Sequence, residues 1–253
     1  MIPNDPEPRV DLTDALGFAQ PPTTQRPPPF WDYFDLGFLI SLCLPALLIA
    51  VLLVRGLSSK LPSGKPFQGL LAQLIWYALV FASLYGLLRL RYQRPFWESL
   101  GWRVSVGSVL ACLFIGPLLA FTIGFLGVVL RAPQIPLPFD QMAEDPPTLV
   151  LFAVFVVILG PLCEELAFRG FLMPLLMRSF GPPLGIVLTG ALFGSLHGPE
   201  YLWSWRHVLL VGTAGTVFGW VRYKTGSTAA ATFMHATYNL TQLAGFLVQI
   251  SAR

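Results

Sequence analysis

The residues of this 253-residue chain that could do chemistry are few, and they lie in apolar surroundings. Two acids, Glu164 and Glu165, follow a fourteen-residue uncharged run, and Arg169 lies four positions after the second acid. Residues four apart share one face of a helix, so Glu165 and Arg169 can form an ion pair. Glu164 points about 100° away and is left free of the arginine. Two carboxylates in different environments suit different tasks, one accepting a proton and one orienting its neighbours.

Two of the three histidines also lie in apolar segments and at helical spacing. His197 ends the sequence Phe193-Gly-Ser-Leu-His197, and Asn239 follows His235 by four positions, so each pair shares a helical face. Ionisable and amide side chains are costly in lipid and mark functional sites when they occur there. The third histidine, His207, follows a basic and aromatic dipeptide, and we predict that it is interfacial.

Two other interpretations of these residues remain open at this point. The Glu-Glu-xxx-Arg cluster alone would also suit a helix end at the membrane surface, where long charged side chains reach toward water. Alternatively, Glu164, His197 and His235 could supply the three protein ligands of a catalytic zinc, with water in the fourth position. Against zinc, the chain has no HExxH motif, which places two histidines four positions apart on one helix.

The elements that carry these residues are predicted to be transmembrane helices. The chain is 55% hydrophobic and 11% charged, with a mean hydropathy of +0.65, whereas a soluble domain carries about 25% charged residues. Uncharged runs cover residues 36–54, 69–88 and 104–130, and each is long enough to cross the hydrocarbon core. In lipid every backbone polar group must be satisfied internally, which makes these runs helices.

Four further spans follow, at about residues 149–165, 184–196, 208–221 and 227–250. The predicted fold class is therefore all-α, a polytopic transmembrane bundle of about seven spans with its site on the last four. Residues 1–30 are predicted to form a disordered proline-rich tail, which shows no signal peptide, and residues 31–253 a transmembrane domain with its motif core at 149–250. The aromatic residues at positions 30–34 are predicted to anchor at the interface. The cysteines, at positions 43, 112 and 163, are predicted to be small buried hydrophobes.

Charge indicates the surroundings of the chain. With alternating spans, ten of the sixteen Lys and Arg residues fall on the side of the tail, which predicts a cytoplasmic N-terminus. In a prokaryote the location would be the plasma (inner) membrane. The net charge of +3 is small and spread over loops, which argues against nucleic acid as a partner. The predicted partners are membrane lipid and a membrane-anchored peptide or protein substrate, with the oligomeric state left open.

Taken in order on successive helices, the three motifs resemble those of the CAAX-prenyl-protease and bacteriocin-processing family of intramembrane proteases. The motifs are Glu164-Glu165-xxx-Arg169, Phe193-xxx-His197 and His235-xxx-Asn239, and the resemblance covers about residues 98–240. It implies glutamates on the fourth helix, the first histidine on the fifth and the second on the seventh. Hydropathy gives the same placement. Only fourteen residues follow Asn239, too few for the eighth helix that some members have.

The resemblance implies hydrolysis of a peptide bond in a membrane-anchored substrate, for example a prenylated CAAX tail. Glu164 would be the general base and His197 would share the attacking water. His235 and Asn239 would donate hydrogen bonds to the oxyanion. No cofactor is expected in this mechanism, with zinc as its alternative.

The remaining motif residues are predicted to support the site. Glu165 and Arg169 would fix the helix and the local field, and Phe193 would pack against the reacting groups.

Two functions of other classes compete with proteolysis. Buried acids and histidines also mark ion pathways, so a proton-coupled transporter is one alternative. Transporters often show inverted repeats and paired broken helices, and the sequence shows neither. The other alternative is a catalytically silent scaffold or immunity protein that keeps the fold, against which all the motif residues are present.

Overall fold

The computed structural model describes residues 29–61, 64–135 and 145–251, and these ranges are helical with no β-strand among them. The predicted tail therefore lies outside the described residues up to position 28. The helices are α1 (Tyr33–Leu57), α2 (Lys65–Gly86), α3 (Phe96–Ser99), α4 (Val106–Val129), α5 (Pro146–Phe180), α6 (Pro182–Leu196), α7 (Trp205–Thr225) and α8 (Thr228–Ser251). The prediction of an all-α membrane bundle is confirmed, and each predicted span coincides with one helix.

Within the described ranges, four helical stretches are long and apolar enough to cross a membrane, namely α1 and α2 with the turns that extend them, α4 and α5. α6 is apolar but has only 15 residues. At 1.5 Å per residue it is about 22 Å long, shorter than the roughly 30 Å hydrocarbon core. α7 and α8 are less apolar because they carry buried polar residues, among them Arg222, Thr228 and His235.

One end of the bundle gathers the start of α1, the loop before α4, the end of α5 and the turn between α7 and α8. The indole of Trp31 donates to the carbonyl of Phe171 in α5 (3.0 Å), and the amide of Thr228 donates to the carbonyl of Gly101 (2.9 Å). These contacts fit helices that alternate in direction. Trp31 is only 3% exposed and stacks on Phe171. Its side chain therefore packs inside the bundle, and its depth relative to the membrane surface stays a prediction.

α5 carries the first motif and is not a regular α-helix. It contains two π-helical turns, at Phe155–Leu159 and Leu166–Leu172, on either side of a short α-helical segment, Gly160–Glu165. Each π-turn is followed two residues later by a proline, Pro161 or Pro174. A proline has no N–H to donate, so the carbonyl one turn before it needs another partner. π-turns are frequent at functional sites, and here they frame the two acids.

α6 and α7 pack against each other through small residues. A Cβ on Gly194 would lie 2.4 Å from the carbonyl oxygen of Val208, and one on Gly190 would lie 2.7 Å from the amide nitrogen of Thr216. Only glycine allows the backbones to approach so closely, as in other membrane helix pairs. This contact brings the side chain of Phe193, near the end of α6, against Gly215 of α7 and Phe168 of α5.

The substitution Gly194→Ala tests this packing. The added methyl group would collide with backbone atoms that cannot move aside, and we expect it to lower the free energy of unfolding by about 1–3 kcal/mol. The control is Gly124→Ala in α4, because a Cβ there meets nothing within 4 Å. Its stability should be unchanged or up to about 1 kcal/mol higher, since alanine favours helix. Denaturant titration in mixed micelles measures both, and equal stability of the two variants would contradict the packing argument.

Candidate active site

The centre of the bundle holds a fully buried ion pair. Arg169 donates from Nη1 to Oε1 of Glu165 at 2.8 Å and from Nη2 to the carbonyl of Gly215 in α7 at 2.6 Å. Both charged side chains are 0% exposed. The guanidinium also lies over the ring of Phe193, 4.6 Å from its centroid. The pair predicted from the i, i+4 spacing is therefore present, and it ties α5 to α7.

Glu165 has a second partner that the sequence did not indicate. Nδ1 of His235, on α8, lies 2.9 Å from the same Oε1 atom. The His235 ring is 4% exposed and stacks on Phe218 at 4.5 Å between centroids. Glu165 is paired with Arg169 and acts as the acceptor, so we assign the proton on this side of the imidazole to Nδ1. A singly protonated His235 then presents the lone pair of Nε2 to the site.

Glu164 lies in different surroundings. Its side chain is 19% exposed, and its Oε2 atom is 3.9 Å from Nε2 of His235. Its other oxygen, Oε1, accepts a hydrogen bond of 3.3 Å from the hydroxyl of Tyr77 in α2. Of the two motif acids, Glu164 is the one whose side chain is partly exposed. Tyr77 is a site neighbour that sequence reasoning missed, because nothing distinguishes it from other aromatic residues of an apolar span.

His197 lies where α6 ends. Its Nδ1 atom is 2.8 Å from the carbonyl of Phe193, one turn earlier. A carbonyl only accepts hydrogen bonds, so Nδ1 carries the proton and Nε2 is left with a lone pair. The Phe193 ring contacts His197 at 4.5 Å and His235 at 5.8 Å between centroids. Phe193 is 2% exposed and packs between the two imidazoles and Arg169.

Asn239 closes the first π-turn of α5. Its amide nitrogen donates to the carbonyl of Val156 at 2.7 Å. In this turn the amide of Gly160 bonds to the carbonyl of Phe155, five residues earlier. The next donor in that register would be residue 161, which is proline and has no N–H. Asn239 therefore supplies the hydrogen bond that Pro161 cannot, and the same amide nitrogen carries a second N–H.

The loop that follows α6 begins with a short 3₁₀ turn, Gly198–Tyr201, and bends sharply at Leu202 and Trp203, which both have positive φ angles (49° and 58°). Glu200 lies in this turn. Desolvation raises the pKa of its carboxyl group, while the nearby His197 lowers that pKa and Glu164 raises it. This third acid is thus an electrostatic neighbour of the site that the motifs did not include.

The remaining candidate residues lie outside the cluster. His207 stacks on Tyr201 at 4.8 Å and its Nδ1 atom lies 3.0 Å from Oγ of Ser204, so it braces the same loop from the start of α7. Cys112 is buried, and the other two cysteines, at positions 43 and 163, are partly buried; all three are free thiols.

The orientation of the two imidazoles bears on whether the site could hold a metal. Both site histidines present Nε2 with Nδ1 bonded elsewhere, as histidine ligands usually do. However, no three His, Cys, Asp or Glu side chains in residues 29–61, 64–135 and 145–251 are placed so that they could hold a metal ion. Glu164, His197 and His235 thus form no preassembled zinc site in this arrangement.

Fold and site together define a helical membrane protein with two acids and two histidines clustered inside its bundle. Residues 146–241 match the family described as type II CAAX prenyl endopeptidase Rce1-like. The matched segment runs from the start of α5 into α8 and contains all three motifs. The match supports the resemblance stated from those motifs, over this segment of the chain. The segment is thus similar to CAAX-type proteases, and the long apolar helices around it are those of an integral membrane protein. No curated protein and no solved structure matches the chain.

The substitution Arg169→Lys tests the buried ion pair. An ammonium group cannot reproduce the fork of donors that joins Glu165 to the carbonyl of Gly215. We expect the free energy of unfolding to fall by about 2 kcal/mol, because a buried acceptor loses its partner. The control is Arg55→Lys at the end of α1, where the side chain is exposed and the change should stay within about 0.5 kcal/mol. If the two variants unfold alike in a denaturant titration, the ion pair does not have the stabilising role given to it here.

Proposed function

We propose that this chain is an intramembrane endopeptidase that hydrolyses a peptide bond in a membrane-anchored substrate, with Glu164 activating the water. The observation that carries the proposal is the difference between the two motif acids. Glu165 is 0% exposed and paired with Arg169 and His235, whereas Glu164 is 19% exposed and faces His235. A carboxylate that is not held by the arginine and is partly exposed can act as a general base.

The proposed reaction has three steps, namely activation of the water, attack on the substrate and departure of the amine. A water held between Glu164 and Nε2 of His197 loses a proton to Glu164, and its oxygen attacks the carbonyl carbon of the substrate. The carbon–nitrogen bond then breaks, and the proton on Glu164 passes to the leaving amine. The Nε2 lone pair of His197 suits the second contact to the water, because the hydrogen bond from Nδ1 to Phe193 leaves it free.

The oxyanion that forms in this step needs donors. The second N–H of Asn239 is one candidate, since the first is used by Val156. His235 can donate from Nε2 only when it carries a second proton, because Nδ1 faces Glu165. We assign both residues this role, in which one donor contributes about 3 kcal/mol. Glu165 and Arg169 would hold His235 in place, and Phe193 would fix both imidazole rings by packing.

We further propose that the reaction uses no metal and that the substrate is a prenylated CAAX tail. A prenyl anchor would keep the peptide at the bilayer, where its cleavage site can reach Glu164 without full transfer into water. We place the N-terminal end of the bundle in the cytoplasm, since its loops carry most of the Lys and Arg residues. In a prokaryote the membrane would be the plasma membrane. The partners are lipid and the anchored substrate.

The substitution Glu164→Ala should abolish hydrolysis. Removing a general base costs about 100-fold or more in rate, and we expect the loss in cleavage of a quenched fluorescent farnesylated CAAX peptide by purified protein in detergent. Glu98→Ala is the matched control, because Glu98 is an exposed acid on α3 and should leave the rate unchanged.

Full activity of the Glu164→Ala protein would refute the assignment of the base. If neither wild type nor the variants cleave the peptide, prenylated tails are removed as substrates. That result would favour another anchored peptide or the silent scaffold. Zinc at about one ion per chain that survives dialysis would contradict the metal-free mechanism.

Asn239 has a structural and a proposed catalytic task, and a second substitution separates them. Asn239→Ala should lower the free energy of unfolding by about 1–3 kcal/mol, since the Val156 carbonyl loses its donor. In a Pro161→Ala background the restored backbone N–H can supply that bond, so the cost of Asn239→Ala should fall by at least half. Hydrolysis should remain impaired by about 100-fold in both backgrounds if the amide also stabilises the oxyanion. Activity restored together with stability would make Asn239 purely structural.

A further inference from the structure

Tyr77 reaches the site from outside the segment that carries the motifs. It lies on α2, whereas the family match covers residues 146–241. Its hydroxyl donates to Oε1 of Glu164 at 3.3 Å. Gln73, one turn earlier on α2, hydrogen-bonds to the same hydroxyl. These three side chains form a chain of hydrogen bonds that ends on the proposed base.

The donor and the acceptor in each of these hydrogen bonds follow from the chemistry of the three side chains. A phenol has a single proton, and an ionised carboxylate can only accept, so the proton of Tyr77 points at Glu164. Gln73 must then donate its amide N–H to the phenol oxygen. The result is that Oε1 of Glu164 is occupied, while Oε2 lies on the side of His235, 3.9 Å from Nε2.

Packing alone does not require the hydroxyl. The Tyr77 ring contacts the ring of Phe155 at 5.6 Å and belongs to an apolar cluster between α2, α5 and α8. Phenylalanine would fill this place equally well. A hydroxyl buried among apolar side chains costs free energy unless it is hydrogen-bonded, and Glu164 and Gln73 are the partners it has here.

We propose that Tyr77 is a positioning residue for the Glu164 carboxylate. Its hydroxyl fixes Oε1, so that Oε2 is the oxygen that takes the proton of the attacking water. This inference rests on Glu164 being the base, as proposed above. A base that is free to rotate spends less time in the reactive geometry, and losing this constraint slows the chemical step rather than substrate binding.

The test is Tyr77→Phe, measured by cleavage of the farnesylated peptide. We expect kcat to fall about tenfold while KM changes less than about twofold, since the interaction acts on the reacting group alone. The control is Tyr85→Phe, a tyrosine on the same helix that is 51% exposed and lies two turns away; both constants should stay as in wild type. An unchanged kcat in Tyr77→Phe, or an equal change in Tyr85→Phe, would overturn the proposal.

A second measurement does not depend on activity. Thermal unfolding in detergent is compared for wild type, Tyr77→Phe, Glu164→Ala and the double variant. Tyr77→Phe should lower the midpoint in the presence of Glu164 and have less than half that effect in the Glu164→Ala background. Equal effects in both backgrounds would show that the hydroxyl does not act through Glu164. If wild type does not cleave the farnesylated peptide, the proposal of a prenylated substrate fails, and this cycle still decides whether Tyr77 holds the carboxylate.

Discussion

The structure depends on the ion pair between Glu165 and Arg169. Two charges inside a membrane bundle cost several kcal/mol each unless they are paired and hydrogen-bonded. Arg169 reaches Glu165 and the carbonyl of Gly215, and a Cβ at position 215 would lie 3.1 Å from its guanidinium nitrogen. The need to satisfy one guanidinium thus brings α5 and α7 together. Glu165 then binds His235 of α8, so the same pair sets the position of an imidazole on a third helix.

The two neighbouring acids lie in different surroundings. Glu165 is fully buried and is bound to Arg169 and His235 through its Oε1 atom. Glu164, one residue earlier, points elsewhere on the helix and is partly exposed. The π-turns on either side of this pair loosen the helix, and groups from elsewhere in the chain, Asn239 and Trp31, bond to carbonyls within them. The irregular stretch of α5 is therefore stabilised by tertiary contacts, which tie its geometry to that of α8 and the N-terminal segment.

Sequence periodicity predicted the helices and the contacts within one helix. It did not predict the contacts between helices. The seven helices that coincide with predicted spans and the Glu165–Arg169 spacing follow from hydropathy and the 3.6-residue repeat. The contact between Glu165 and His235 joins residues 70 positions apart, and no local pattern encodes that register. Tyr77 was missed for the same reason. The hydrogen bond of Asn239 could have been anticipated from Pro161. A proline inside an apolar span has no N–H, so a carbonyl one turn earlier needs another donor.

The short helix α6 has a consequence for the bilayer itself. A helix of about 22 Å is shorter than a hydrocarbon layer of about 30 Å, and a bilayer accommodates a span of that length by thinning. His197 lies at one end of this helix, next to the loop of Glu200. On the function proposed above, a membrane thinned at that end would let the amide groups of a lipid-anchored peptide reach Glu164 without shedding all their hydration. On this view the local deformation of the membrane is as much a part of substrate entry as the side chains are.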